Sequence, residues 1–374
     1  MRKTFLYHAK INNQTETNCH KWLNICREVY NSALNQRINK FKETGKTISC
    51  YDQQKQLTSI KRDFPETKKV NSQTLQDVLE RLDKGYKAFF RRVKSGEKPG
   101  FPRFKNRQGY NSFTLKQTGY KLDGRYLHIK NVGGFKLFLS RPIEGDIKTI
   151  TVRRTSTNKW FVAFSCDNVP TQILTEIDKE VGIDVGIKSF CVDSEGEQTR
   201  NPKFFRQSEK LLRRRQRSLC RKKKGSIRRS KTRLLVAKAH GKVTNQRKDF
   251  LHKVANQYIA RFQTIYIEDL KIRNMAKNRH LSKSITDCGW GTFFGFLSYK
   301  AENAGRTVIK VLPYNTSQRC SGCGEKVFKS LSVRIHNCPF CGLILDRDLN
   351  AAINIRQDGQ SCQALTSDML ELVA

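Results

Sequence analysis

Two Cys-x-x-Cys pairs near the end of the chain constrain its fold more than any other feature. The pairs are Cys320/Cys323 and Cys338/Cys341, and a glycine follows the second cysteine of each. Four thiolates at this spacing are typical of one tetrahedral zinc site built from two tight turns, in which glycine relieves the backbone. Four buried cysteines without metal are the alternative. We predict a structural Zn²⁺ ribbon over residues 316–342.

The segment after the second pair combines a helical pattern with acidic residues. Within residues 346–355, the sequence Asp-Arg-Asp-Leu-Asn-Ala-Ala-Ile-Asn-Ile places Asp348, Ala351, Ala352 and Ile355 on one helical face. The alanines would let this helix lie close to a sheet. A carboxylate on such an apolar face is costly unless it has a function. We predict Asp348 as a metal ligand, with Asp346 as the alternative.

A strand over residues 181–185 carries the second candidate acid. It alternates apolar residues with glycine and Asp184, and the next segment, 189–192, could pair with it as a hairpin. Glycines on both sides of Asp184 would leave room for a metal ion and a phosphate to approach the backbone. An aspartate in the first strand of such a hairpin indicates an RNase H-like fold.

A β-branched strand over residues 264–270 ends in the third candidate, Glu268. Glu268, Asp184 and Asp348 then lie on two strands and a helix. That layout suits two Mg²⁺ ions around one scissile phosphate, and Mn²⁺ should substitute because all the ligands are oxygen atoms. We expect the polar residues 271–288 to form a loop over the site.

The charge of the chain identifies its class of partner. Among 374 residues, 72 are Lys or Arg and 33 are acidic, which gives a net charge of +39. Such a field attracts polyanions, of which nucleic acid is the first candidate. No apolar run reaches the ~20 residues of a spanning helix, and the first residues lack a signal-peptide core. The eight cysteines outside the ribbon show no pairing, which favours reduced thiols in a cytosolic protein.

Three segments could contact nucleic acid. Residues 201–250 hold 19 basic and two acidic residues; residues 98–105 combine cations, prolines and aromatic rings; and a helix beginning near residue 72 exposes two glutamines. Ordinary solvated surface remains the alternative for each, and is favoured for the glutamines. The candidate residues are Lys98, Arg103, Lys105, Arg213, Arg214, Arg215, Arg217, Gln73 and Gln76.

Periodicity divides the rest of the chain into a helical and a strand-rich part. Helices are predicted after Thr17, after Ser49 and after Ser72, with Gly45 ending the first. Between residues 112 and 170 five short strands separated by turns suggest a small barrel. Beyond Gly359 the sequence gives no strong signal, and we expect a mobile tail.

Several of these motifs together resemble one known family. The segments Lys98-Pro-Gly-Phe-Pro-Arg-Phe-Lys105, Gly-Ile-Asp184-Val-Gly, Ile-Glu268-Asp-Leu, the four cysteines and Asp-Leu-Asn-Ala-Ala occur in the order typical of the TnpB family. Members of that family are transposon-encoded RNA-guided DNA endonucleases related to type V CRISPR effectors. The resemblance covers most of the chain, and it implies that Asp184, Glu268 and Asp348 are the catalytic acids.

The resemblance also implies a fold: an α/β multidomain protein with an RNase H-like (RuvC) nuclease domain. The nuclease domain is expected at 177–315 and 343–358, with the zinc ribbon at 316–342 inserted in it. An N-terminal β-barrel wedge domain is expected at 1–15 and 106–176, with a helical recognition lobe inserted at 16–105. Residues 359–374 form the expected tail.

By the same resemblance, a guide RNA from the transposon end would direct the protein to double-stranded DNA beside a short fixed motif. One protein per guide RNA, in the cytoplasm of a prokaryotic cell and associated with its nucleoid, is the expected arrangement. Two alternatives remain from the residues alone. One is an unguided transposase or resolvase-type nuclease, and the other is a zinc-ribbon regulator that binds nucleic acid without cutting it.

Overall fold

The computed structural model describes residues 1–330 and 332–371, and the chain divides into two compact units between Pro170 and Thr171. The sequence placed this boundary after residue 176. The Leu174 amide donates to the carbonyl of Ala304, and Arg306 donates to the carbonyl of Thr175, so these residues belong to the second unit. Within the described ranges, no helix is both long and apolar enough to cross a membrane.

The first unit combines one antiparallel sheet with helices. Its strands are β1 (Lys3–Lys10), β2 (Ser112–Leu115), β3 (Tyr120–Asp123), β4 (Tyr126–Ile129), β5 (Gly133–Phe138), β6 (Asp146–Arg154) and β7 (Trp160–Asp167). Its helices are α1 (Asn13–Thr44), α2 (Cys50–Lys55), α3 (Leu57–Asp63) and α4 (Ser72–Lys94). The strands pair in the order β2-β6-β7-β1-β5-β4-β3, which includes a strand, β3, that the sequence did not indicate.

The sequence predicted a small barrel, and the structure has an open sheet in which β2 and β3 do not pair with each other. Its end strands, β2 and β3, have four residues each. Side chains of α4 bind the free edge of β2: Thr74 donates to the carbonyl of Thr114 at 2.9 Å, and Arg81 donates to that of Ser112 at 2.9 Å. In a closed sheet, those carbonyl groups would accept hydrogen bonds from the amides of another strand. Here α4 occupies that position and protects the edge.

Local capping signals set the ends of the helices. The side chain of Asn12 accepts from the amide of Thr15 at 2.7 Å, so α1 begins before the predicted start at Thr17. Gly45 ends α1 in the left-handed conformation with φ 65°, as predicted. Ser49 caps α2 by accepting from the amide of Asp52, which confirms the predicted capping position.

One hydrophobic core holds the helices and the sheet of the first unit together. Trp22 of α1 packs against Phe113 of β2 with ring centroids 5.3 Å apart, and the apolar stripe of α4 belongs to the same buried cluster. The sequence predicted a separate helical lobe at 16–105. The apolar stripe of α4 packs against α1 and α2, as the sequence predicted, and also against β2, which the stripe did not indicate.

The second unit is an α/β assembly in three layers. Its elements are β8 (Glu180–Val185), β9 (Ser189–Asp193), β10 (Gln198–Arg200), α5 (Phe204–Cys220), α6 (Ile227–Arg261), β11 (Thr264–Glu268), α7 (Ile272–Met275), α8 (Ser282–Cys288), α9 (Trp290–Ala304), β12 (Thr307–Val311), β13 (Ile335–Asn337), β14 (Ile344–Asp346) and α10 (Arg347–Glu371). The sheet order is β10-β9-β8-β11-β12; β9 is antiparallel to both of its neighbours, and β8, β11 and β12 are parallel. Helices α6 and α9 cover one face, and α10 covers the other.

Helix α10 lies unusually close to β8 and β11 because two glycines permit it. A Cβ atom on Gly182 would lie 2.1 Å from the carbonyl oxygen of Ala352, and one on Gly359 would lie 2.0 Å from the ring of Tyr266. The space beside Asp184 that we assigned to a metal ion and a phosphate is therefore filled, at Gly182, by the helix backbone. The predicted tail is also corrected: α10 continues to Glu371, and residues 372–374 lie outside the described residues.

The expected loop at 271–288 contains two short helices, α7 and α8. Helix α8 is anchored, because the Asp287 carboxylate accepts from the amide of Phe205 at 3.0 Å and from Arg247 at 2.9 Å. Lys283 adds an ion pair to Glu209 of α5 at 3.0 Å. These long-range contacts, which no local pattern reveals, fix the segment against α5 and α6.

Gly182→Ala should destabilise the second unit, since the new methyl group would overlap the backbone of α10. Overpacking of this kind costs roughly 1–3 kcal/mol, which corresponds to a thermal midpoint lower by about 2–10 °C in a unit of this size. Gly295→Ala in α9 is the matched control, because its methyl group would meet no atom within 4 Å. A Gly182→Ala protein that melts no lower than the control would contradict the close approach.

Candidate active site and zinc centre

Three carboxylates meet where β8, β11 and α10 converge. The register of β8 and β11 pairs Ile183 with Ile267, so the next residues, Asp184 and Glu268, occupy neighbouring positions on adjacent parallel strands. Asp348 lies in the first turn of α10, which packs against β8. Glu268 and Asp348 are buried, and Asp184 is half-buried. The three acids predicted from sequence therefore come together.

The cluster is electrostatically unfavourable without a cation. Desolvation and the nearby charges of Glu268 and Asp348 raise the pKa of Asp184 well above its ordinary value, although Arg347 opposes the shift. Burial also raises the pKa of Glu268, against a hydrogen bond from the hydroxyl of Thr316 to its Oε1 at 2.6 Å. Acids held this close lose repulsion when a divalent cation binds between them.

Two arginines contact Asp348. Arg347 donates to its Oδ1 from Nη2 at 2.9 Å and from Nε at 3.1 Å, and Arg334 lies 3.6 Å from the same oxygen. The alternative acid, Asp346, has a different role, because its Oδ1 accepts from the amides of Asp348 at 2.8 Å and Leu349 at 3.3 Å. Asp346 thus caps the start of α10 and orients the turn that carries Asp348.

The four predicted cysteines form the second cluster. Their sulfur atoms lie within 4.8 Å of one another, and the pairs Cys320/Cys341 and Cys323/Cys338 are each 3.6 Å apart. A tetrahedral zinc ion with Zn–S bonds of about 2.3 Å requires sulfur separations of about 3.8 Å. The thiols therefore fit one zinc ion. Among the described residues this is the only group of three or more potential ligands gathered so tightly.

The two cysteine turns have the same backbone pattern. Gly324 donates to the carbonyl of Cys320 and Gly342 to that of Cys338, and both glycines have positive φ, 80° and 73°. This repeated geometry explains why glycine follows each pair. The hairpin of β13 and β14 spans the second turn, so the ribbon extends to Asp346 rather than ending at residue 342.

Two buried asparagines of α10, which the sequence analysis missed, fasten the ribbon to the acidic cluster. Asn350 donates to the carbonyl of Arg319 at 2.7 Å and accepts from the amide of Ser321 at 3.0 Å, next to Cys320. Asn354 donates to the carbonyls of Arg319 and Thr316, both at 2.7 Å. Since Thr316 also binds Glu268, hydrogen bonds connect the first cysteine turn to a candidate catalytic acid. Two asparagines four residues apart, next to the buried Ala351 and Ala352, were the available signal.

Some of the residues predicted to contact nucleic acid are exposed, whereas others already bind groups of the protein. On α5, a groove of about 660 Å³ is lined by Lys210, Arg213, Arg214, Arg217, Ser218, Arg221 and Lys222, which we call the α5 groove. Arg215 lies elsewhere, because its Nη1 donates to the carbonyl of Leu235 on α6 at 2.9 Å. The sequence of this arginine run does not show which side chains line the groove and which bind the protein backbone.

The predicted nucleic-acid contacts in the first unit also include both exposed residues and residues that bind the protein itself. Lys98 and Arg103 are exposed, and Lys105 is half-buried. Gln73 accepts from the amide of Gln117 at 3.0 Å and so holds the segment between β2 and β3, whereas Gln76 is half-buried on α4. The first glutamine therefore has a structural role, which neither nucleic-acid contact nor solvated surface had anticipated.

Comparisons with known proteins agree with this arrangement. Family models match residues 163–279 ("probable transposase"), 290–355 ("Cas12f1-like, TNB domain") and 1–46 ("helix-turn-helix domain"). The last description does not fit the structure, in which residues 1–46 form β1 and the single helix α1. The first two matches together span the strands, helices and ribbon that position the acids.

Two relatives of similar length have names that indicate the same class of protein. A Streptomyces pristinaespiralis protein, named as a candidate RNA-guided DNA endonuclease, is 31% identical over 97% of this chain and 91% of its own length. The InsQ protein of Escherichia coli K12, with a name of the same kind, is 30% identical over 97% and 93%. A Cas12f1 chain, solved by cryo-EM in complex with sgRNA and target DNA, shares the fold with a TM-score of 0.57, at 17% identity over 91% of this chain and 82% of its own.

Fold, acidic cluster and cysteine ribbon thus define a protein of the transposase and Cas12f1-like class. Within that class, the chain belongs to the TnpB family.

Cys320→Ser and Cys338→Ser should each remove zinc, because three thiolates cannot complete the closed shell. Elemental analysis should show a zinc-to-protein ratio that falls towards zero, with loss of local folding energy on the order of 10 kcal/mol. Cys220→Ser, at an exposed thiol outside the ribbon, is the control. Retention of zinc by both ribbon variants would disprove the site.

Asp184→Asn should stabilise the zinc-loaded protein in the absence of other metals at neutral pH. The pKa of Asp184 is higher in the fold than in an unfolded chain, so the folded state binds more protons between the two values and stability falls as pH rises through that window. Removal of the charge should raise the thermal midpoint by at least ~2 °C.

Two control measurements test whether the higher thermal midpoint of Asp184→Asn comes from the removed charge. The gain should disappear in acid, where Asp184 is protonated anyway, and Asp269→Asn at an exposed position should give no gain. Added Mg²⁺ should stabilise the wild type more than the variant. A lower midpoint for Asp184→Asn at neutral pH would show that the acids do not repel one another.

Arg214→Gln and Arg217→Gln should weaken nucleic-acid binding and reduce its salt dependence. Each lost phosphate contact lowers the slope of log K against log salt by about 0.9 for duplex DNA or 0.7 for single strands. Arg215→Gln is the matched control, since its guanidinium binds a protein carbonyl. If Arg215→Gln flattens the slope as much as the others, the α5 groove is not the contact surface.

Proposed function

We propose that this protein is an RNA-guided DNA endonuclease whose nuclease centre is the cluster of Asp184, Glu268 and Asp348. The convergence of these three acids at the ends of β8 and β11 and the start of α10 carries the proposal. The sheet order β10-β9-β8-β11-β12, with β9 antiparallel to its neighbours, supports the proposal of an RNase H-like, RuvC-type domain. The relatives' names supply the reaction class.

The residues of the cluster fit Mg²⁺, which prefers oxygen ligands and keeps part of its water shell. Asp184, Glu268 and Asp348 would hold two ions, which together would activate a water molecule and stabilise the leaving oxygen of the cut strand. Mn²⁺ should substitute.

The chain's own residues prepare this centre. Thr316 donates to Oε1 of Glu268 at 2.6 Å and thereby fixes one oxygen of this carboxylate. Arg347 and Arg334 contact Asp348 and partly neutralise the site before substrate arrives. A phosphate entering the cluster would bring further negative charge, which the same two guanidinium groups are close enough to bind. Zinc has a structural role, because four cysteines close its shell.

The proposed partners follow from the family and from charge. A guide RNA from the transposon end would bind the strongly basic chain, one protein to each RNA, and the α5 groove supplies phosphate contacts. Base pairing with the guide would select double-stranded DNA beside a short motif read by the first unit. The setting would be the cytoplasm and nucleoid of a prokaryotic cell.

Asp184→Ala, Glu268→Ala and Asp348→Ala should each abolish cutting and preserve binding. Loss of one ligand removes several kcal/mol of transition-state stabilisation, which corresponds to at least about 10³-fold in rate. The measurement is cleavage of a plasmid target alongside filter binding. Asp346→Ala is the matched control, because it loses a helix cap and about 0.5–2 kcal/mol of stability but no metal ligand. Cutting by Asp348→Ala together with none by Asp346→Ala would overturn the assignment.

The guide itself is tested by sequencing the RNA that co-purifies with protein expressed beside its native flanking DNA. One abundant species that runs past the transposon end should direct cutting to a matching target. Heterogeneous RNA that high salt removes, with cutting that needs no RNA, would favour an unguided transposase instead.

A further inference from the structure

Separate from the acidic cluster, the first unit contains a cavity of about 510 Å³ between α1, α4 and the segment 98–112, which we call the α4 cavity. Aromatic rings and cations line it, among them Tyr30, Tyr110, Phe101, Arg92, Arg103 and Lys105. No acidic residue is part of the lining. Its volume falls within the range of small-ligand sites, about 300–1,000 Å³.

The walls of the cavity are held in place by specific contacts. Asn31 of α1 binds the backbone of Lys105 twice: its Oδ1 accepts from the Lys105 amide at 2.8 Å, and its Nδ2 donates to the Lys105 carbonyl at 2.9 Å. Pro102 packs over Gly85, where a Cβ atom would lie 3.7 Å from the proline ring. The segment is therefore a fixed wall.

Some polar groups that line the cavity lack a partner of opposite charge or a hydrogen bond among the described residues. The buried hydroxyl of Tyr110, a residue 7% exposed, has no hydrogen-bond partner among the described residues. None of the ion pairs between described residues involves Arg92, Arg103 or Lys105, whereas Arg81, deeper in the wall, is paired with Asp77 at 2.7 Å. Lys105 lies over the ring of Tyr30, 5.7 Å from its centroid, so Arg92 and Arg103 are the cations without such a contact. Beside exposed aromatic surface, with Phe101 47% exposed, these guanidinium groups suit an anionic and partly flat ligand.

We propose that the α4 cavity binds one unpaired nucleotide of the nucleic acid that this protein handles. Its base would stack on Phe101 and the neighbouring rings, and its phosphate would bind Arg92 and Arg103. The inference rests on the proposed function only in taking nucleic acid as the partner. A nucleotide within a continuous duplex could not enter, because its base is stacked on both sides. The unpaired nucleotide could come from the guide RNA or from an opened DNA strand.

Photo-crosslinking tests the cavity directly. The full chain carrying Asp184→Ala, which cannot cut, would be irradiated with 12-nucleotide single strands that contain 5-iodouracil, as RNA or as DNA, and with the blunt DNA duplex. Peptide mapping should place crosslinks from single strands at Phe101 or Tyr110. A stronger RNA signal would identify the guide as the source, and a stronger DNA signal an opened strand.

Matched variants separate this site from general polyanion binding. Arg92→Gln and Arg103→Gln should each lower the crosslink yield by about fivefold or more, whereas Arg91→Gln, next in sequence on the exposed face of α4, should not. Phe101→Ala should abolish the crosslink at its position, and Phe41→Ala, at an exposed ring on α1, should have no effect.

Three results would overturn the proposal: crosslinks that avoid residues 98–112, an equal effect of Arg91→Gln, or crosslinking by the duplex alone. Because the assay needs no cutting, its failure leaves the nuclease assignment intact. A protein that crosslinks as expected but never cuts, with any guide, would instead refute the proposed function.

Discussion

The second unit depends on how closely α10 approaches β8. With a Cβ atom at Gly182, the helix backbone would have to withdraw from the sheet, and the first turn of α10 would move with it. That turn carries Asp348, while β8 carries Asp184. The distance between these two acids therefore depends on the absence of a side chain at Gly182. Ala351 and Ala352, both buried, complete the narrow interface.

The same helix connects two sites of opposite chemistry. Its apolar face packs on the sheet beside the carboxylates, where burial and then the charges of Glu268 and Asp348 raise the pKa of Asp184. Its asparagines, Asn350 and Asn354, bind carbonyls next to the first cysteine turn. The ribbon therefore holds the helix from one side, while the sheet holds it from the other. A cluster of like charges needs such external support, because it provides none of its own.

Local sequence patterns predicted much of this site and only part of the fold. Cysteine spacing, strand alternation around Asp184 and the helical face of Asp348 are short-range signals, and the structure brings all the residues they identified together. The open sheet, the shared core of the first unit and the anchoring of α8 arise from pairings more than 30 residues apart in sequence, which no local pattern encodes. Arg215 and Gln73 illustrate the same limit at single residues, since their roles depend on which backbone groups lie nearby.

Hydrogen bonds connect the residues beside Cys320 to Glu268 by way of α10 and Thr316. This connection changes how inhibition by chelators should be interpreted. If the carboxylates hold Mg²⁺ as proposed, a reagent such as EDTA would act at two places in this protein. Removal of loosely held ions from the carboxylates would be fast, and Mg²⁺ alone would reverse it. Extraction of zinc from the thiols is slow, and it would release the segment that orients Glu268, so Mg²⁺ alone would not restore it. Recovery after chelation should therefore depend on how long the chelator was present, and two kinetic phases of inactivation would reflect two metals with different roles.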